Sequence, residues 1–199
     1  MNENEITNKI NDHIIKNSGW EPTRNYLSIS HISGCPRRAV FEYKNGFKVE
    51  EGTHRMCYAG YEQEKSVKDI LIQTGIIQRV NVEVVAPFDE RLRGHLDGAN
   101  VEAVIEIKSV SSRKWEKLQR EGRAFYEHFV QCQLYMRYGG WRKAFVVYRN
   151  RETYEHKTVE ILYNASKAQE FELKAKIILD AIDGGELPDC TCGRCEVTE

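Results

Sequence analysis

The sequence predicts a mixed α/β domain, and three observations predict it. Apolar residues recur at helical spacing before Gly75; the period then shortens to two in Val- and Ile-rich runs up to Val110; helical spacing returns afterwards on either side of two more short alternating runs. The chain has 199 residues, 41% apolar and 30% charged, and carries no repeat, low-complexity tract or Pro/Gly/Ser linker, so residues 1–199 read as one domain with material for a core.

The elements follow in order. Ile6, Ile10, Ile14 and Ile15 share helical spacing and predict a short amphipathic helix, followed by a polar approach to Leu27-Ser-Ile-Ser-His-Ile-Ser-Gly-Cys35. Pro36 suits the first position of a helix through Phe41 and Tyr43, ended by Asn45-Gly46. A helix from Tyr61 to Gln73 places Val67, Ile70 and Leu71 on one side. Three strands are expected at Ile76–Ala86, Arg91–Gly98 and Val101–Val110, the last with Val101, Ala103, Ile105 and Ile107 inward and Glu102, Glu106 and Lys108 on the other face. One long helix from Arg113 to Tyr138, closed by Gly139-Gly140, precedes strands at Lys143–Arg149 and His156–Tyr163. A final helix carries Ala168, Phe171, Ala175, Ile178 and Ile182 on its apolar face. The result is a sheet between helices.

A net charge of −1 excludes a uniformly basic body but not a local basic stripe. No window approaches the roughly 18 uninterrupted apolar residues of a membrane span. The start, Met1-Asn-Glu-Asn-Glu-Ile6, lacks the basic flank and apolar run of a secretory signal. A cytoplasmic protein with no membrane partner is the expectation, and the near-neutral charge leaves a homo-oligomer open.

The stretch with most chemistry is Gly94-His-Leu-Asp97-Gly98 followed by Glu106-Ile-Lys108. Residues two apart on a strand point the same way, so Glu106 and Lys108 share a face. Asp97 joins them if its strand pairs with theirs as a hairpin. Two strand-borne carboxylates suit Mg²⁺ or Mn²⁺, hard ions often shared with a phosphate, and Lys108 can orient a water or neutralise developing charge. Taken alone, an E-x-K triplet reads better as an exposed ion pair. Its neighbours change that.

With Asp97 as the aspartate and Glu106-Ile107-Lys108 as the E-x-K, the pattern resembles the RecB-type branch of the PD-(D/E)XK nuclease superfamily. The resemblance implies a restriction-endonuclease-like core with a central mixed sheet flanked by helices. It also implies a metal held by Asp97, Glu106, the carbonyl of Ile107 and a residue upstream, where the branch has Gly-x-x-x-His and this chain has Gly60-Tyr-Glu-Gln-Glu64. Glu64 takes the histidine's place; His54 is spaced wrongly and reads as a surface residue. Downstream, Gln131-Cys-Gln-Leu-Tyr135 matches the branch's Gln-x-x-x-Tyr, which orients the lysine and contacts nucleic acid. A non-catalytic DNA- or partner-binding module of the same fold is the alternative that the Glu64 departure keeps open.

Of six cysteines, Cys35 stands early and Cys190, Cys192 and Cys195 stand together near the end. Four thiolates suit an iron-sulfur cluster or a structural zinc. One cysteine before the core and three after it is similar to the CRISPR-associated iron-sulfur exonucleases and their phage relatives, over residues 27 to 195. That likeness implies a [4Fe-4S] cluster clasping the chain ends, so that 1–59 plus 184–199 form the cluster portion and 60–183 the nuclease core. It further implies single-stranded DNA as substrate and a protein partner in CRISPR adaptation or phage recombination. Cys57 and Cys132 read as small packed side chains.

Beside the E-x-K, Arg113, Lys114, Lys117, Arg120 and Arg123 outnumber Glu116 and Glu121 and make a basic stripe, with Trp115 and Tyr126 available to stack on bases. A solvated helix with i,i+4 ion pairs such as Glu116 to Arg120 reads almost equally well. Arg37 and Arg38 are further candidate phosphate contacts.

Overall fold

In the computed structural model, which describes residues 2–18, 25–46, 51–193 and 195, the chain opens with helix α1 (Glu3–Asn17). Asn2 caps it, its side-chain oxygen accepting from Glu5 N at 2.9 Å. The approach to Leu27 lies partly outside the described residues. A two-residue strand, β1 (Leu27–Ser28), leads into a 3₁₀ turn at Ile29–Ser33. Pro36 opens α2 (Pro36–Asn45) as its fixed φ favours, and Gly46 ends it with φ of 71°.

Helix α3 spans Glu51–Gln73 and so begins ten residues before the expected Tyr61. Gly52 is tolerated inside a helix at modest cost, and no proline interrupts the run. The region expected to hold a strand at Ile76–Ala86 is extended but paired only at β2 (Glu83–Ala86), because Asn81 takes a positive φ of 56° and breaks the ladder. Arg79 makes one isolated bridge to Ala99.

Next come β3 (Asp89–His95), β4 (Gly98–Ala99) and β5 (Ala103–Val110). The expected hairpin is the antiparallel pairing of β4 with β5, Gly98 opposite Ile105 and Ala99 opposite Val104. Val101 is 75% exposed in the turn before β5, not inward as expected. The single helix expected over Arg113–Tyr138 is two, α4 (Ser112–Glu121) and α5 (Tyr126–Gly139). Gly122, at φ of 65°, closes α4 by donating its N–H to Leu118 O, which a residue with a side chain does less readily. Strands β6 (Lys143–Asn150) and β7 (His156–Leu162) and helix α6 (Ala165–Ile182) complete the order.

Two mixed sheets result, where one was expected: β1-β3-β2 and β4-β5-β6-β7, with β5 and β6 parallel. Strand β5 is buried on both faces. Ala103, Ile105 and Ile107 pack with Val67 of α3, and Val104 and Val110 pack with the larger core that contains α5 and α6. This is the environment of a central strand, and each aliphatic side chain so buried contributes about 2 kcal/mol. Helix α5 runs through that core with Val130 to Met136 buried consecutively. Among the described residues, no helix is long and apolar enough to cross a membrane.

Candidate active site

Strand β4 covers β5 only at Val104 and Ile105, so among the described residues that edge of β5 has no strand beside Ile107 and Ser109. Main-chain N–H groups of alternate residues point to the same edge. Two carboxylates take them. Asp97, just before β4, accepts at Oδ2 from Ile107 N (2.8 Å); Glu64 of α3 accepts at Oε1 from Ser109 N (3.0 Å) and from the Ser109 hydroxyl (3.3 Å). The Ile107 carbonyl lies on the same side as its N–H. Gly60, one helical turn before Glu64, lies against this edge: a Cβ there would stand 3.4 Å from Ser109 Oγ.

Glu106 and Lys108 project from the α5 face of the same strand. Lys108 Nζ lies 2.5 Å from Glu106 Oε1. Gln131 of α5 donates from Nε2 to Glu106 Oε1 and to the Tyr135 hydroxyl, both at 2.9 Å, and that hydroxyl donates to His95 O at 3.0 Å. Gly94 makes room for the tyrosine; a Cβ on it would stand 2.8 Å from Tyr135 Cε1. Glu106 is 1% exposed, yet its Oε2 has no hydrogen-bond partner. A buried carboxylate oxygen left bare is costly unless a cation or donor meets it.

Burial pushes the Glu106 carboxyl up to about 8, with Asp97 and Glu64 adding to the rise and Lys108 opposing it. Burial also raises Glu64. Burial works against the Lys108 charge, but Glu106, Asp97 and Glu64 outweigh it and hold the ammonium protonated. Those same four groups are the ones the sequence singled out, and the fold brings them within each other's fields. The carboxylates are not as tightly gathered as the cysteines: among the described residues, the cysteines are the only group of three or more potential metal ligands whose donor atoms all lie within 4.8 Å. The donor set still suits a hard divalent ion, because it is all oxygen and Glu106 Oε2 is bare.

Other sequence-predicted positions fall differently. Trp115 is 6% exposed in the core and cannot offer a face to a base, which corrects its assignment as a stacking residue; α4 is amphipathic, and Trp115 lies on its apolar side with Leu118. Arg113 is exposed. Lys114 reaches Glu127 at 3.2 Å and lies over the Phe125 ring, and Lys117 pairs with Glu121 at 3.9 Å. Arg37 donates to Pro188 O (2.7 Å) and Arg38 pairs with Glu42 (2.5 Å), so both side chains are engaged where the chain ends meet. His54 is half-buried and bonded to Ser18 Oγ at 2.9 Å, not a plain surface residue.

The four cysteines named from the sequence do converge. Sγ separations are 3.6 Å for Cys35–Cys195, 3.6 Å for Cys190–Cys192 and 3.4 Å for Cys192–Cys195, and the four could hold a metal ion. Burial opposes a thiolate at Cys35, but backbone amides of Arg38 and Thr191 bring it down to about 5. Cys132 is fully buried and Cys57 half-buried, apart from this group.

Several site residues escaped the sequence reading. Arg151, beyond β6, donates to Ser109 Oγ (3.3 Å) and Ser109 O (3.2 Å), and with Gly60, Tyr61, Cys57 and Glu64 it lines a cavity of about 410 Å³. Only the β5–β6 register brings it there. Tyr148, cross-strand from Lys108, accepts from Phe125 N and bonds His128 Nδ1 at 2.8 Å. His128 precedes Gln131 by one helical turn, the one sequence signal available for it.

No protein-family model and no curated protein sequence matches the chain. Solved structures do match. An alkaline exonuclease, LHK-Exo, from Laribacter hongkongensis superposes with a TM-score of 0.65 at 16% identity, over 80% of this chain and 89% of that one; it has also been solved in complex with dAMP. SSO0001 matches with a TM-score of 0.63 at 19% identity, over 96% of this chain and 93% of its own. A phage-related exonuclease from Haemophilus somnus 129PT gives 0.56 at 14% identity, over 80% and 94%. The chain shares the fold of these solved structures.

Proposed function

We propose that this chain is a divalent-metal-dependent deoxyribonuclease acting as an exonuclease on single-stranded DNA ends. One observation carries the reading: beside the uncovered edge of β5, where Asp97 and Glu64 are held, Glu106 keeps a buried oxygen without a hydrogen-bond partner, and Lys108 is the common counter-charge of all three carboxylates. That the structural neighbours include exonucleases, one solved with dAMP, supports DNA as the substrate class.

Glu64, Asp97, Glu106 and the Ile107 carbonyl would hold Mg²⁺ or Mn²⁺. When bound, such an ion stabilises charge on phosphoryl oxygens and activates water. Lys108, kept protonated by its three carboxylates, places a positive charge where negative charge grows on the phosphate. Gln131 fixes Glu106 by holding Oε1, and Tyr135 fixes Gln131 through a hydroxyl anchored on His95 O. Ser109 orients Glu64 from two donors, and Arg151 in turn holds Ser109. Lys114, Lys117 and Arg113 offer charge to the strand leading into the site.

The resemblance implies a [4Fe-4S] cluster at the cysteines, and no step of the reaction is routed through it. The cytoplasm, where thiolates stay reduced, suits this reading, as does DNA-end processing in CRISPR adaptation or phage recombination with a protein partner. The test uses end-labelled single- and double-stranded DNA with Mg²⁺ or Mn²⁺ and with chelator. Shortening of single strands from an end, abolished by chelation and by Asp97→Ala, supports the proposal. DNA that is bound and left uncut under every metal condition overturns it in favour of a binding module.

A further inference from the structure

The four cysteines were expected to hold a four-iron cluster, and their spacing speaks against it. In such a cluster each thiolate binds a different iron, so the sulfurs stand outside the metal cube, about 6 Å from one another. Here three pairs lie at 3.4 to 3.6 Å and no pair exceeds 4.8 Å. Four thiolates around one tetrahedral ion at the zinc–sulfur length of about 2.3 Å stand about 3.8 Å apart. The observed set matches the second arrangement.

The backbone around the site is pinned independently of any metal. Thr191 N donates to Cys35 Sγ at 3.4 Å, Arg37 Nε donates to Pro188 O at 2.7 Å, and Lys174 Nζ donates to Gly34 O at 2.6 Å. These bonds hold the segment before α2 against the C-terminal tail and α6.

We propose that Cys35, Cys190, Cys192 and Cys195 bind a single tetrahedral zinc ion that clasps the segment before α2 to the C-terminal tail. Among ions that accept four thiolates in this geometry, Zn²⁺ binds more tightly than Fe²⁺. The site has no open coordination position and so is structural; it joins positions 160 residues apart in sequence. The inference rests on the sulfurs alone and stands or falls separately from the nuclease reading.

Metal and acid-labile sulfide are measured on the full chain, purified without oxygen from cells supplied with both iron and zinc. The expected result is about one zinc per chain, no labile sulfide and a colourless preparation. Cobalt(II) exchanged into the protein should give the intense visible bands of a tetrahedral thiolate site. Zinc is retained in Cys57→Ser and lost in Cys192→Ser, and chelation lowers Tm by about 10 °C or more. A brown preparation with about four iron and four sulfide per chain overturns the proposal, as does one iron in place of zinc. Should Cys192→Ser fail to fold, the stoichiometry of the unmodified chain still decides.

Discussion

Gln131 donates to Glu106 Oε1 at 2.9 Å, and the other oxygen of that buried carboxylate, Oε2, has no partner. The bond fixes one side of Glu106 and leaves the other side bare. Gln131→Ala removes the orienting donor and leaves Glu64, Asp97 and Glu106 themselves in place. Cleavage turnover should fall about 10- to 100-fold, with weaker Mn²⁺ affinity and little change in overall DNA affinity. Steady-state cleavage and calorimetric Mn²⁺ titration check this; unchanged values for both would remove Gln131 from the site.

Gly94 and Tyr135 fit because glycine has no side chain. Gly94→Ala forces a methyl to within 2.8 Å of the tyrosine ring and 3.2 Å of Ile29 Cβ. It should destabilise the protein by about 1–3 kcal/mol in urea unfolding. In a Tyr135→Leu background the same substitution should cost clearly less, because the ring it strikes is gone.

His128 is held neutral. Burial, reinforced by Lys108, takes its imidazole down to about 3 from 6.5. Between those values the unfolded chain binds a proton that the folded chain refuses, so this group's contribution to stability falls as pH drops from about 6.5 toward 3. From pH 7.5 to about pH 5 the loss should be about 2 kcal/mol, and it should be absent in His128→Asn. Unfolding free energies of both proteins at the two pH values measure it.

Lys114 and Lys117 lie on the exposed side of α4, whereas Trp115 is inside. Replacing both lysines with alanine should weaken single-stranded DNA binding without regard to sequence and reduce the salt slope by about 1.4, at about 0.7 per phosphate contact. Trp115→Phe should leave DNA binding unchanged and cost about 1–2 kcal/mol in stability. The opposite pattern would restore a stacking role to the tryptophan.

Much of the fold could be read in advance, since the period change at Gly75 and the Gly139-Gly140 stop are local signals. Asp97, Glu106, Lys108, Gln131 and Tyr135 were legible as a pattern, and the fold gathers them. What stayed hidden depends on contacts distant in sequence. Arg151 reaches Ser109 through the parallel β5–β6 register, and the full burial of Glu106 follows from β5 being covered on both faces, which the alternation of Glu106 and Lys108 with Ile105 and Ile107 does not reveal. Trp115 was misjudged because its basic neighbours hid the apolar side of an amphipathic helix. The break in the long helix turned on one left-handed residue, Gly122.

The central claim is that the carboxylates of Glu64, Asp97 and Glu106 and the ammonium of Lys108 form one hydrolytic centre. Its most direct test is the single-turnover rate of phosphodiester cleavage in Mn²⁺ for Lys108→Ala beside the unmodified chain, with folding verified by circular dichroism. The account predicts a rate lower by about 10²–10³-fold while DNA still binds. A folded Lys108→Ala protein that cuts within a factor of about two of the unmodified rate would contradict it.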